Sequence, residues 1–167
     1  YHPDRVAGVV GMSVPFQPRG GSDPGAFMEQ MFGPDMYIVQ FNRQPGVADK
    51  IFAEKIDRFF TSVFRHKQWV GKEDKPSNDG SSFGVSIIKG LEVENPPGEP
   101  LMSDEEKAVF IEAFGKGGFT GPINWYRNIT RNWEISADLP QKINVPCGQI
   151  YGTYDLVPAG GDVSEYV

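Results

Sequence analysis

Two short apolar runs near opposite ends of the chain, residues 6–14 (VAGVVGMSV) and 143–150 (INVPCGQI), most constrain what it can fold into. The first is glycine-containing and rich in β-branched residues, as a strand buried in a parallel sheet is, and the second reads as another buried strand. Neither can end a fold by itself, because a lone strand leaves its backbone groups unpaired. What separates them is long and reads as helix and loop. Twenty glycines and fourteen prolines in the chain predict many turns and loops.

Between the strands, residues 26–31 predict a short helix. Tyr37, Val39 and Phe41 alternate with Ile38 and Gln40, which predicts a short extended piece. Residues 46–66 read as one amphipathic helix, with Phe52, Ile56, Phe59, Phe60, Val63 and Phe64 on its apolar face. Four phenylalanines so close together point to core. His66 ends this helix beside Arg65 and Lys67, where a cation suits the macrodipole, and is read as structural. Residues 67–102 are rich in Gly, Pro, Ser and charge and predict surface loops, with one apolar run at 85–88. Ser103 with Glu106 three residues on is a capping box. The helix it opens should bury Val109, Phe110, Ala113 and Phe114 and stop at Gly115 or Gly117.

The stretch 117–133 reads GGFTGPINWYRNITRNW. Pro122 suits a helix start, and Ile123, Tyr126, Thr130 and Trp133 then fall at steps of three and four on one face. A tyrosine there has a ring content to be buried and a hydroxyl that needs a partner. Spacing leaves two readings open. One is a core tyrosine bonded to a backbone carbonyl; the other is a proton donor aimed into a pocket.

The run FTGPINWYRNITRNW closely resembles the lid segment of epoxide hydrolases in the α/β-hydrolase superfamily. Further stretches are similar to the same family. The segment HPDRV, followed by a strand ending SVPF, resembles the approach to the lid. The Y-I-x-x-F segment at Tyr37 resembles the one carrying a second lid tyrosine, with one extra residue before Pro45. The strand running into YGTYDLVP is similar to the family's G-x-x-D-x-x-x-P, with one residue fewer before Pro158, and places Asp155 where the family has the acid of its triad. The resemblance implies an α/β fold class, specifically a partial α/β-hydrolase fold. Residues 1–16 and 141–167 would be core segments, and 17–140 a mostly helical lid inserted between two adjacent parallel strands. It implies that Tyr126 and Tyr37 donate to the oxygen of an epoxide while Asp155 orients a histidine. Substrate and water are the implied partners, with no cofactor and no metal, and a homodimer through the lid is a further expectation.

In that family an aspartate attacks carbon and a histidine activates water to hydrolyse the resulting ester. No G-x-D-x-G or G-x-S-x-G run occurs in the chain, and His2 and His66 lie outside the position expected of the base. The expectation is therefore a middle portion of such an enzyme, inactive by itself and prone to aggregate, with exposed apolar side chains around both strands. Two alternatives stay open: another aspartate-nucleophile α/β-hydrolase such as a dehalogenase, and a non-catalytic lid-like binding protein. A net charge of −6 and a pI near 4.9 argue against nucleic acid. No apolar run approaches the ~20 residues of a membrane span, the N-terminus lacks the form of a secretory signal, and Cys147 has no cysteine to pair with. A cytoplasmic protein is the plain expectation.

Overall fold

A computed structural model describes residues 2–66 and 86–151. Strands β1 (Val9–Met12) and β2 (Cys147–Ile150) pair in parallel, with Val9 opposite Cys147 and Met12 opposite Ile150. Both are shorter than the apolar runs that contain them. Ser13 ends β1 because it turns to a positive φ of 63°, and its N–H still reaches the Ile150 carbonyl at 2.9 Å. The strands carry exposed apolar side chains, Val6, Val10, Met12, Val14 and Ile150 among them, as expected from the sequence. All the elements between the strands, among the described residues, are helical. Two paired parallel strands with a long helical stretch between them in sequence match the arrangement expected from the sequence.

The described residues form two compact units. One holds the sheet and runs to Gly21 and again from Asn132; the other is Ser22–Arg131. In the second unit α1 (Pro24–Phe32) starts on Asp23, whose carboxylate accepts the Gly25 N–H at 2.9 Å, with Pro24 in the first turn. Helix α2 (Tyr37–Arg43) replaces the extended piece expected at Tyr37–Phe41. Alternation misled because Ile38 and Val39 are adjacent and both buried, as is Phe41. A strand would send Ile38 and Val39 to opposite faces, whereas a helix turns Tyr37, Ile38 and Phe41 to one side.

The helix expected over 46–66 is instead two, α3 (Val47–Glu54) and α4 (Ile56–Val63), broken at Lys55 with φ −115° and ψ 37°. Phe52 of α3 and Phe60 of α4 both reach the core. Its ending also differs. Arg65, rather than His66, serves the last turn by donating from Nη1 to the Thr61 carbonyl at 3.2 Å, while the His66 backbone bonds Glu99 at 2.8 Å. The apolar run at 85–88 becomes a short helix, α5 (Ile87–Gly90), capped by Ser86.

Helix α6 (Asp104–Gly117) begins with the expected capping box: Glu106 N–H bonds the Ser103 hydroxyl at 3.2 Å, and Ser103 N–H bonds the Glu106 carboxylate at 2.9 Å. It stops at Gly118, whose φ of 69° few other residues adopt. Its inward face differs from the expected stripe. Phe114 packs on the core as expected and Ile111 joins it, whereas Val109 is 66% exposed and Phe110 and Ala113 are exposed as well. The core itself gathers Phe41, Ala48, Phe52, Phe60, Leu91, Phe119 and Ile123 from successive helices. Its rings meet mostly edge to face, as with Phe41 and Phe52 at 5.9 Å between centroids.

Candidate active site

Helix α7 (Thr120–Arg127) carries Tyr126, and its seating follows from three residues. Phe119 and Ile123 are buried, and Tyr126 continues the same face one turn further on. Trp125 points the other way and is 81% exposed.

The single face expected from Ile123 to Trp133 does not persist. Helix α7 ends at Asn128, whose side chain turns back to donate to the Asn124 carbonyl at 2.8 Å, and α8 (Ile129–Ile135) follows. Asparagine competes with the helix for backbone partners in this way. Thr130 and Trp133 therefore face other partners. The Thr130 hydroxyl donates to Asp23 at 2.8 Å, and the Trp133 indole donates to Gly20 at 2.9 Å beneath the Arg19 guanidinium.

Tyr37 lies in the first turn of α2, and helix α2 packs on α7. The two tyrosine rings stand edge to face, 5.4 Å between centroids and 85° between planes. Phe41, one turn along from Tyr37, touches both rings at 5.7 Å and closes the triangle. Burial, the neighbouring Tyr126 phenol and a hydrogen bond with it push the Tyr37 phenol up to about 12. It thus holds its proton throughout the neutral range. Both tyrosines line a cavity of about 290 Å³ whose remaining walls are largely phenylalanine rings, with Ile87, Ile123 and Pro122.

A polar network lies one turn away from the rings. Arg127 donates from Nε to the Phe41 carbonyl at 3.1 Å and forks onto the Asp49 carboxylate, with Nη1 3.1 Å from Oδ1 and Nη2 on Oδ2. Side-chain exposures of 17% and 14% make this pair largely buried. The guanidinium holds the Asp49 carboxyl below the usual carboxylate range, against the opposing effect of burial, and the Thr120 hydroxyl assists. Asn42 donates to the Ile38 carbonyl at 2.8 Å and to the Tyr126 carbonyl at 3.2 Å. Sequence reasoning missed Asn42, Asp49 and Arg127. The partners lie 78 to 86 residues apart, beyond any periodic pattern. Asp155 falls outside the described residues.

Comparison with known proteins finds relatives named as epoxide hydrolases. The chain is 35% identical to epoxide hydrolase A of Mycobacterium tuberculosis, over 93% of its own length and 48% of that protein's. It is 32% identical to epoxide hydrolase 1 of Siraitia grosvenorii, over its whole length and 50% of the relative's. The solved epoxide hydrolase A of Mycobacterium thermoresistibile superposes with a TM-score of 0.68 at 32% identity, covering 91% of this chain and 47% of the other. By sequence and fold, the chain corresponds to part of an epoxide hydrolase. An epoxide hydrolase from Vigna radiata agrees, with a TM-score of 0.70 at 28% identity over 99% of this chain and 50% of that one. The chain thus spans about half the length of these epoxide hydrolases. No family model matches it. Among the described residues, no helix is long and apolar enough to cross a membrane.

Proposed function

We propose that the chain is part of an enzyme that opens epoxides to vicinal diols through an aspartyl ester, with Tyr37 and Tyr126 donating to the epoxide oxygen. The observation that carries this reading is the pair of edge-to-face phenols, 5.4 Å apart, on the wall of an apolar cavity. An alkoxide is too basic to leave carbon unaided near neutral pH. Two phenols that share one oxygen stabilise the charge that develops as the C–O bond breaks, and one of them then gives up its proton. Tyr37 at about 12 remains protonated until that moment and is still more acidic than the alcohol being formed. In the whole enzyme an aspartate carboxylate attacks carbon as the ring opens. Water then attacks the ester carbonyl, and its two protons pass to the departing diol oxygen and to the tyrosinate, which releases the diol and restores both carboxylate and phenol. Asp155 is assigned the role of orienting the histidine that deprotonates this water. The phenyl-lined walls suit an organic, uncharged substrate, and the net charge of −6 accords with a partner other than nucleic acid.

The test separates epoxide opening from halide displacement, because a halide leaves without a proton. The full-length protein is assayed with styrene oxide for diol and with 1-chlorobutane for halide. Diol without halide is expected. Halide release without diol, or an undiminished diol rate in Tyr126→Phe, would overturn the reading.

A further inference from the structure

We infer that Arg127, docked on Asp49, and Asn42 are positioning residues that set the separation of the Tyr37 and Tyr126 side chains. The inference rests on the donor role proposed above for that pair. Side chain to backbone bonds cross between α2 and α7 in both directions. Asn42 on α2 reaches the carbonyl of Tyr126, and Arg127 on α7 reaches the carbonyl of Phe41. Both land on or next to residues of the ring triangle. Together they restrain how far α7 slides along α2 and how it rotates, which apolar ring contacts alone leave soft.

The guanidinium is itself held. Its remaining N–H groups fork onto Asp49 of α3 and bond Asn124 at 3.0 Å. A planar fork with fixed donors transmits position in a way a lysine ammonium does not. Asp49 also receives the Thr120 hydroxyl, so one carboxylate steadies α7 near its start and at its end. Burial raises the Tyr37 phenol most, and the close approach of Tyr126 raises it further. A purely structural clamp would stabilise the lid yet leave the phenols indifferent to it.

The experiment reads phenolate absorbance near ~295 nm against pH, together with steady-state diol formation, in the full-length protein. Tyr37→Phe identifies the late-titrating phenol by removing it. Arg127→Met keeps the stem and deletes the fork; Asn42→Ala deletes the other crossing bond and serves if the first variant fails to fold. Arg127→Lys keeps the charge without the fork. In all three the late phenol should move toward the free value, and kcat should fall about tenfold to a hundredfold with KM little changed. If the phenol moves and diol turnover does not, the positioning role stands and the donor role falls. If Arg127→Met and Asn42→Ala both keep the late phenol and wild-type kcat, losing only thermal stability, the positioning role is overturned. Full recovery in Arg127→Lys would likewise overturn the fork.

Discussion

Replacing Phe52 with alanine removes a ring that is only 1% exposed and that touches three others. Its centroid lies 5.9 Å from Phe41, 4.8 Å from Phe59 and 5.5 Å from Phe119, which come from α2, α4 and the start of α7. Burying a phenylalanine side chain contributes about 1.5–3 kcal/mol, and the cavity left by truncation adds to the loss, so buried Phe→Ala changes cost about 3–5 kcal/mol. With partners on three sides the site collapses poorly, and about 4 kcal/mol is expected. At roughly 2–4 °C per kcal/mol for a domain of this size, the Tm should fall by roughly 8–16 °C. Val109→Ala is the matched control: its side chain is 66% exposed, and the cost should stay within about 0.5 kcal/mol. Urea titration of the full-length protein and both variants gives the comparison directly. Loss of less than about 1 kcal/mol in Phe52→Ala, or an equal loss in Val109→Ala, would refute the placement of the core. Because Phe52 backs Phe41, diol turnover in Phe52→Ala should also drop at temperatures where the variant is still folded.

Ser62 is fully buried and its hydroxyl finds no partner among the described residues, so Ser62→Ala should be neutral or stabilise by up to about 1 kcal/mol in the same titration. Gly98 has φ 87°, and a Cβ there would sit 1.7 Å from the His66 carbonyl oxygen; Gly98→Ala should therefore cost roughly 3 kcal/mol or more, and an unchanged Tm would contradict the geometry. The lowered Asp49 carboxyl contributes stability that is present above the ordinary carboxylate pKa of about 4 and is lost as pH falls through the lower folded value. Asp49→Asn should flatten that part of the acid limb of Tm against pH, and an acid limb unchanged from wild type would show that the pair contributes nothing.

How much of this was legible in the sequence depended on whether the controlling contacts are local. The Ser103 capping box closes within three residues and was readable, as were the two strands, whose apolar runs stand out from the helices between them. The inward face of α6 was not readable. Val109, Phe110, Ile111, Ala113 and Phe114 are too closely spaced for periodicity to choose among them; Phe114 was expected inward, and packing added Ile111 while leaving Val109 exposed. Helix α2 was missed because seven residues carry fewer than two turns of periodicity, too little to outweigh a chance alternation. Family resemblance, and not spacing, pointed to Tyr37 and Tyr126 as a pair of donors; that their rings meet follows from α2 packing on α7. The Arg127–Asp49 fork and the Asn42 bonds depend on that same tertiary contact, so local pattern carries no trace of them.

The most direct measurement for the tyrosine pair is single-turnover ring opening of styrene oxide, with the full-length enzyme in excess at neutral pH. Wild type, Tyr37→Phe, Tyr126→Phe and the double variant are compared, with epoxide consumption and diol release followed separately. Each single change should slow epoxide consumption by about 10²-fold, within the usual range for a positioned proton donor. The double change should slow it further, by less than the product of the two because the phenols act on one oxygen. Hydrolysis of the ester, once formed, should keep its wild-type rate. Epoxide consumption within twofold of wild type in Tyr126→Phe and in the double variant would contradict the donor role.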